Sequence, residues 1–335
     1  MKTSVSEHAF FRLISPELKK LEEVVLQELQ HYDPKLVQAA THLMRAGGKR
    51  LRPVMVLLSA QACSMAQGAD FQGHAHNSHQ ILAMAVEILH TATLIHDDII
   101  DGSALRRGLP TVNEKWGLRT SVLTGDFLLA RACYYISVIE KVRLNTIFSQ
   151  MVMDMCNGEM SQLERRYKST ISYEEYLEQV RSKTALLMAI GCQGAAIING
   201  ASAEVEMALY HYGHDVGIAF QIMDDILDYV VAEGEMGKSA RNDLAQGQVT
   251  LPCYFALRHS PQATELAAII ERKMSETEDL ERALEIVINS DAITRCQQAA
   301  QEYIDKAKAH LACLPDSEAR QALVELAEFA IQRSK

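Results

Sequence analysis

The chain has 335 residues, 48% of them hydrophobic, with a formal net charge of -10, so it can bury a large core in one domain or two; the acidic balance excludes a general nucleic-acid binder, which carries a basic surface. Seven widely spaced cysteines with no CxxC exclude a disulfide framework or zinc site and predict buried thiols in a reducing compartment. No adequate apolar leader and no charge-free span of membrane length is found, so a cytoplasmic protein without a transmembrane segment is expected.

Few Gly and Pro beside abundant Ala and Met favour helices throughout. A helix starts at Ser15, ahead of Pro16 and Glu17, and runs on as an amphipathic pattern. A second follows from Pro34 and stops at Gly47 and Gly48. The next motif, GGKRLRP, gathers Lys49, Arg50 and Arg52, with Pro53 suited to the first turn of a helix extending to Ala66. Three cations in four positions of an acidic chain suggest an anion site, although a charged surface loop explains them equally well. The polar segment 68–80 reads as a surface loop, and His74, His76 and His79 receive no metal role. A central helix then spans about Gln80 to Asp101, with an N-terminal half apolar nearly all round, as a buried helix requires.

Arg106 and Arg107 follow on a turn, and arginine is suited to bidentate phosphate contacts. Residues 121–139 form another apolar helix. Residues 145–167 form a third, interrupted by Asn157, Glu159 and Gln162, which either line a polar cavity or emerge at the surface. Ser172 and Glu175 have the spacing of a capping box. A break is expected near Ser182, after which Lys183 and Thr184 open an apolar helix ending near Gly200. The longest helical pattern begins at Ala203 and passes Gln221. It gives way to a glycine-containing loop that carries Lys238, Arg241 and Asp243. The rest is amphipathic helix with breaks near Pro261, Asp291 and Pro315. No strand alternation, linker or repeat stands out, so residues 1–335 are read as a single all-α domain.

Two acidic triplets stand out against these helices. Asp97, Asp98 and Asp101 end the central helix, and Asp224, Asp225 and Asp228 repeat the DDxxD pattern. Residues four apart share a helix face, so the first and last acids project side by side with the second flanking them. A helix C-terminus already carries negative partial charge, and two charges about 4 Å apart repel by roughly 4 kcal/mol at an effective dielectric of about 20. A bridging hard cation relieves that repulsion, and Mg²⁺ combines one or two carboxylates with waters and substrate phosphates. A metal-bound phosphate or diphosphate is therefore the expected ligand. The plainer alternative, two solvated acidic patches, fits poorly with helices that are otherwise apolar.

The ordered set GGKRLRP (47–53), EILHTATLIHDDIID (87–101), RRG (106–108), LTGDFLLARA (123–132), KT (183–184), FQIMDDILD (220–228) and GKSARNDLAQGQVTLP (237–252) resembles the trans-polyprenyl diphosphate synthases over nearly the whole chain. The resemblance implies an all-α isoprenoid synthase-type bundle around a deep central cavity, and condensation of isopentenyl diphosphate with an allylic diphosphate such as farnesyl diphosphate. It implies that Asp97, Asp101 and Asp224 are the principal ligands of several Mg²⁺ ions, with Asp98, Asp225 and Asp228 completing the shell directly or through water. It assigns Arg106, Lys183 and Lys238 to the allylic diphosphate, and Lys49, Arg52, His90 and Arg107 to isopentenyl diphosphate. Thr184 and Gln221 would steady the allylic cation through their oxygens. No protein nucleophile is needed, because the departing diphosphate suffices to accept the proton.

Ala92 and Thr93, five and four residues before Asp97, are small where family members with short products carry an aromatic. A long product is expected, hexaprenyl to nonaprenyl with octaprenyl at the centre, serving as a quinone side chain. A shorter geranylgeranyl or farnesyl product is the alternative. The resemblance further implies a homodimer, with a heteromer as the other arrangement, and peripheral membrane contact for product release. Two departures occur: Gln246 and Gln248 stand where the family has an acidic residue and a lysine, which removes a cation near the diphosphate. A class I terpene cyclase would lack the second DDxxD and the GGKRLRP motif, and a non-catalytic partner subunit would be expected to have lost motif residues.

Overall fold

The computed structural model describes residues 8–66, 74–230 and 242–332. Sixteen helices occur among them: α1 (Ala9–Leu29), α2 (Pro34–Arg45), α3 (Leu51–Ala66), α4 (His74–Ile100), α5 (Val112–Trp116), α6 (Leu118–Val138), α7 (Val142–Glu164), α8 (Tyr173–Val180), α9 (Leu186–Asn199), α10 (Ala203–Val230), α11 (Asn242–Ala245), α12 (Leu251–His259), α13 (Ala263–Glu271), α14 (Asp279–Ile288), α15 (Ala292–His310) and α16 (Glu318–Ile331). They divide into two compact units. One comprises residues 1–150, 187–213 and 308–326, and the other comprises 151–186, 214–307 and 327–335.

In the first unit α4 packs most extensively on α6 and α3. Leu82 to Val86 are all buried, so this stretch of α4 is enclosed on every side, as its apolar composition requires. The stripe Phe10, Ile14, Leu18, Leu21, Val25 and Leu29 buries one face of α1. That helix starts at Ala9, ahead of the expected Ser15, and continues through Pro16. Proline leaves the carbonyl one turn back without its ladder donor, and the Ser15 hydroxyl donates to that Arg12 oxygen at 3.5 Å.

Part of the segment expected as a loop before α4 is helix instead. Residues 74–79 are the first turns of α4; His79 is fully buried with a ring nitrogen 3.3 Å from the Ala195 carbonyl oxygen, and His76 lies 2.9 Å from the Gln80 amide. The RRG turn holds a small hairpin that the sequence does not announce. Its strands are β1 (Leu105–Arg106) and β2 (Leu109–Pro110), with Arg106 opposite Leu109. The two linking residues, Arg107 (φ 54°) and Gly108 (φ 76°), both adopt the left-handed conformation of a type I′ turn.

In the second unit the core forms around Tyr176, Ile222, Tyr229, Leu266, Ile286 and Ile304. The capping box at α8 is formed in full: the Glu175 amide donates to Ser172 Oγ at 3.1 Å, and the Ser172 amide donates to Glu175 at 2.8 Å. The break expected near Ser182 is a π-helical segment, Arg181–Ala185. All seven cysteines are free. Cys63, Cys192, Cys253 and Cys296 are buried, whereas Cys133, Cys156 and Cys313 are exposed, so burial holds for four of the seven. Among the described residues no helix is long and apolar enough to cross a membrane.

Helix α10 approaches its neighbours closely through glycine. A Cβ at Gly213 would lie 2.6 Å from the Met188 carbonyl oxygen and 2.8 Å from Ala189 Cα, both backbone atoms that cannot swing aside. Gly213→Ala is therefore expected to destabilise the fold by about 1–3 kcal/mol. A lowered urea midpoint at unchanged slope confirms this contact, and an unchanged midpoint contradicts it.

Candidate active site

Helical periodicity sorts each acidic triplet into two kinds of carboxylate. Positions 97 and 101 lie one turn apart, and both aspartates are half-buried. Asp98, rotated about 100° from Asp97, points inward and is 1% exposed. Its Oδ1 accepts a 2.6 Å hydrogen bond from Arg106 Nε, itself buried. The hairpin supplies this cation, because strand β1 turns Arg106 inward. Asp98 thus does not flank its neighbours on the open face, as the bare spacing suggested, and Arg106 is committed through Nε to Asp98.

The second triplet repeats the division. Asp224 and Asp228 are half-buried and Asp225 is buried. Asp225 is held by neutral donors: Tyr176 Oη at 2.8 Å and Gln221 Nε2 at 2.9 Å. Burial first, then the nearby Asp243, pushes its carboxyl up to about 8, and the bonds from Gln221 and Tyr176 pull the other way. Asp228 accepts a 3.3 Å bond from the Asp243 amide, which ties the loop after α10 to the triplet. In that loop Gln248 is buried and its amide lies 3.3 Å from Gln246.

Lys183 and Thr184 project from the π-helical segment. Such an extra residue per turn shifts side chains out of the ordinary helical register and recurs at functional sites. Two glycines make room for it. A Cβ at Gly158 on α7 would lie 2.1 Å from Ser182 Oγ, and one at Gly217 on α10 would lie 2.5 Å from Ala185 Cα. Lys183 Nζ lies 3.5 Å from Gln162 Oε1 and 3.8 Å from Glu159 Oε2. The polar interruptions of α7 therefore receive the lysine. Thr184 Oγ1 donates to Gln221 Oε1 at 2.6 Å.

The remaining cations collect in the first unit. His90 is flanked by Arg52, Arg107, Arg106 and Arg50; burial, then those four charges, hold its imidazole well below the usual range and keep it neutral. Lys49 is exposed and Arg52 half-buried. Arg107 is exposed overall, yet its guanidinium rests against the end of α2, donating to the Leu43 carbonyl at 3.4 Å and to that of Gly47. In the sequence, Arg50 counts among three cations of a candidate anion site and receives no separate role. It has φ 50°, a strained conformation for a side chain with a Cβ, and it bonds Glu87 Oε1 at 2.5 Å and the Met44 carbonyl at 2.6 Å. Those two bonds anchor the loop that carries Lys49 and leads into α3, where Arg52 sits. The strain at Arg50 and its acidic partner one turn before His90 became visible only in three dimensions.

Ala92 is 1% exposed, whereas Thr93 is half-buried on the Asp97 side of α4 and donates to the His90 carbonyl at 2.8 Å. Lys238 lies outside the described residues. Among the described residues no three His, Cys, Asp or Glu side chains converge as a protein-only metal cage would require. Mg²⁺ needs no such cage, since it keeps waters and phosphate oxygens beside one or two carboxylates. The outer pair of each triplet fits that donor set.

A family model described as polyprenyl synthetase matches residues 33–287, and the chain belongs to that family of prenyltransferases. It is 36% identical over 329 residues to solanesyl diphosphate synthase 2, chloroplastic, of Arabidopsis thaliana, covering 98% of this chain and 78% of the relative. It is likewise 36% identical over 325 residues to heptaprenyl diphosphate synthase component 2 of Bacillus subtilis, covering 96% and 90%. A solved polyprenyl synthase from Caulobacter crescentus, complexed with calcium and isoprenyl diphosphate, matches with a TM-score of 0.89 at 38% identity, covering 99% of each chain. The fold is the all-α isoprenoid synthase fold.

Since the folded chain holds His90 below its unfolded pKa, the unfolded state binds more protons between the two values. The stability associated with this residue is therefore lost as pH falls below about 6.5. An anion among the four arginines reverses the local potential, so inorganic diphosphate is expected to raise the His90 pKa. NMR titration of its ring C–H signals checks this, and an unshifted titration contradicts it.

Proposed function

We propose that this chain catalyses Mg²⁺-dependent head-to-tail condensation of isopentenyl diphosphate with an allylic diphosphate, extending it to a long all-trans polyprenyl diphosphate. The observation that carries this reading is the pair of half-buried carboxylates one turn apart in each triplet, Asp97 with Asp101 and Asp224 with Asp228. These four would hold the metal, which when bound supplies Lewis-acid stabilisation of the departing diphosphate. Lys183, and Lys238 from the loop after α10, would bind the allylic diphosphate. Arg106 would add its remaining N–H groups while staying on Asp98. Lys49, Arg52 and Arg107 would seat isopentenyl diphosphate beside His90. Thr184 and Gln221 would face the allylic cation with oxygen, and residues 1–335 would form a single polyprenyl synthase domain.

Relatives named for heptaprenyl and solanesyl products support a long chain, and the small Ala92 and Thr93 are consistent with it. Octaprenyl diphosphate, for a quinone side chain made in the cytoplasm, is the reading adopted within that range. Exposed Leu123, Tyr134 and Val138 on α6 favour a homodimer through that helix. The relative named as a component of heptaprenyl diphosphate synthase gives the second reading, a catalytic subunit that works with a different chain.

The test incubates the purified chain with isopentenyl diphosphate, farnesyl diphosphate and Mg²⁺ and sizes the extracted products. Elongation that EDTA abolishes is expected, and Ala92→Phe or Thr93→Phe is expected to shorten the product. No elongation by the chain alone overturns the self-sufficient enzyme, and an unchanged product length in both variants overturns the role of positions 92 and 93.

A further inference from the structure

Tyr176 is assigned to neither substrate nor metal, yet it ends a hydrogen-bonded series that reaches two residues proposed to meet the allylic cation. Its Oη lies 2.8 Å from Asp225 Oδ2, Asp225 Oδ1 lies 2.9 Å from Gln221 Nε2, and Gln221 Oε1 lies 2.6 Å from Thr184 Oγ1. Tyr176, Asp225 and Thr184 are all at least 95% buried, so water does not complete the series in their place.

Donor and acceptor chemistry allows one direction along it. Oδ1 of Asp225 accepts, so the amide face turned toward it is the NH₂. Oε1 is then the atom facing Thr184, whose hydroxyl donates. This conclusion does not depend on distinguishing nitrogen from oxygen in the Gln221 amide by position alone. It holds as long as Asp225 Oδ1 accepts, as its 2.9 Å contact with Gln221 Nε2 has it.

The geometry points to Tyr176 as a positioning residue for prenyl transfer: by holding Asp225 Oδ2 it fixes the Gln221 amide with its carbonyl, not its NH₂, beside Thr184, so that two oxygen dipoles share one side. The assignment rests on the proposed function, in which those oxygens face a developing cation. Tyr176 comes from α8 and Gln221 from α10, and the π-helical segment that follows α8 delivers Thr184. Without the phenolic hydroxyl the carboxyl group can rotate, and the amide can turn over to present N–H to positive charge. That loss is felt where charge develops, hence in kcat, and not in ground-state binding of either diphosphate.

The experiment compares wild type, Tyr176→Phe, Asp225→Asn and the double variant as full-length protein, measuring kcat, both KM values and thermal unfolding. Tyr176→Phe is expected to lower kcat about tenfold, as loss of one buried hydrogen bond predicts, with both KM values within about twofold. Asp225→Asn, whose own NH₂ can donate to Gln221, is expected to lose at least as much. The double variant is expected to be no worse than Asp225→Asn, because the amide is already released. A wild-type kcat in Tyr176→Phe, or losses that multiply in the double variant, overturns the positioning role. If the Phe variant does not fold, Asp225→Asn decides the matter: a rise in KM at unchanged kcat overturns it, and a fall in kcat at unchanged KM supports it. Failure of wild type to elongate rejects the proposed function itself, whereas elongation by wild type with an unaltered Phe variant rejects only the role of Tyr176.

Discussion

A carboxylate removed from water needs a partner, and both acidic triplets are built around meeting that need. The i, i+1, i+4 spacing of DDxxD leaves two acids on an accessible face and turns the middle one into the protein. Asp98 is met there by the Arg106 guanidinium, and Asp225 by a phenol and an amide. An ion pair and a neutral cradle thus solve the same problem differently. In each case the inner acid fixes the helix rotation that presents the outer pair. Removing one partner of such a buried pair is costly because it strands the other.

The supporting architecture follows from those two anchors. Arg106 reaches Asp98 only because a two-residue turn with positive φ at Arg107 and Gly108 folds the chain back after α4. Thr111 ties down the base of that hairpin: its amide donates to the Ala104 carbonyl and its hydroxyl to that of Ser103, both at 2.9 Å. Around Asp225 the requirement is close approach of helices. Gly217 lets α10 touch the segment carrying Thr184, and Gly158 on α7 admits Ser182. The π-helical segment is therefore a packed feature, met closely by two glycines.

Much of this could be read from the sequence where the signal is local. The capping box at Ser172 and Glu175, the enclosed stretch of α4 and the break at Ser182 all depend on residues within a turn or two. The difference between inner and outer acids was also within reach, since Asp98 lies three residues after the fully buried Ile95, and Asp225 three after Ile222. Reading all six acids as ligands, three principal and three completing the shell, obscures that periodicity. Tyr176 and Arg50 were illegible for another reason, because their partners Asp225 and Glu87 lie 49 and 37 residues away. The polar composition of residues 74–79 concealed helix because burial of His79 against the Ala195 carbonyl outweighs local preference.

The central claim is that the outer aspartates take the metal and the inner ones hold the protein. Anomalous diffraction from crystals grown with Mn²⁺ and inorganic diphosphate tests it most directly. The account predicts manganese within about 2.2 Å of carboxylate oxygens of Asp97, Asp101, Asp224 or Asp228, with the Arg106–Asp98 and Tyr176–Asp225 bonds intact. Manganese bound to Asp98 or Asp225, with either bond broken, would contradict it.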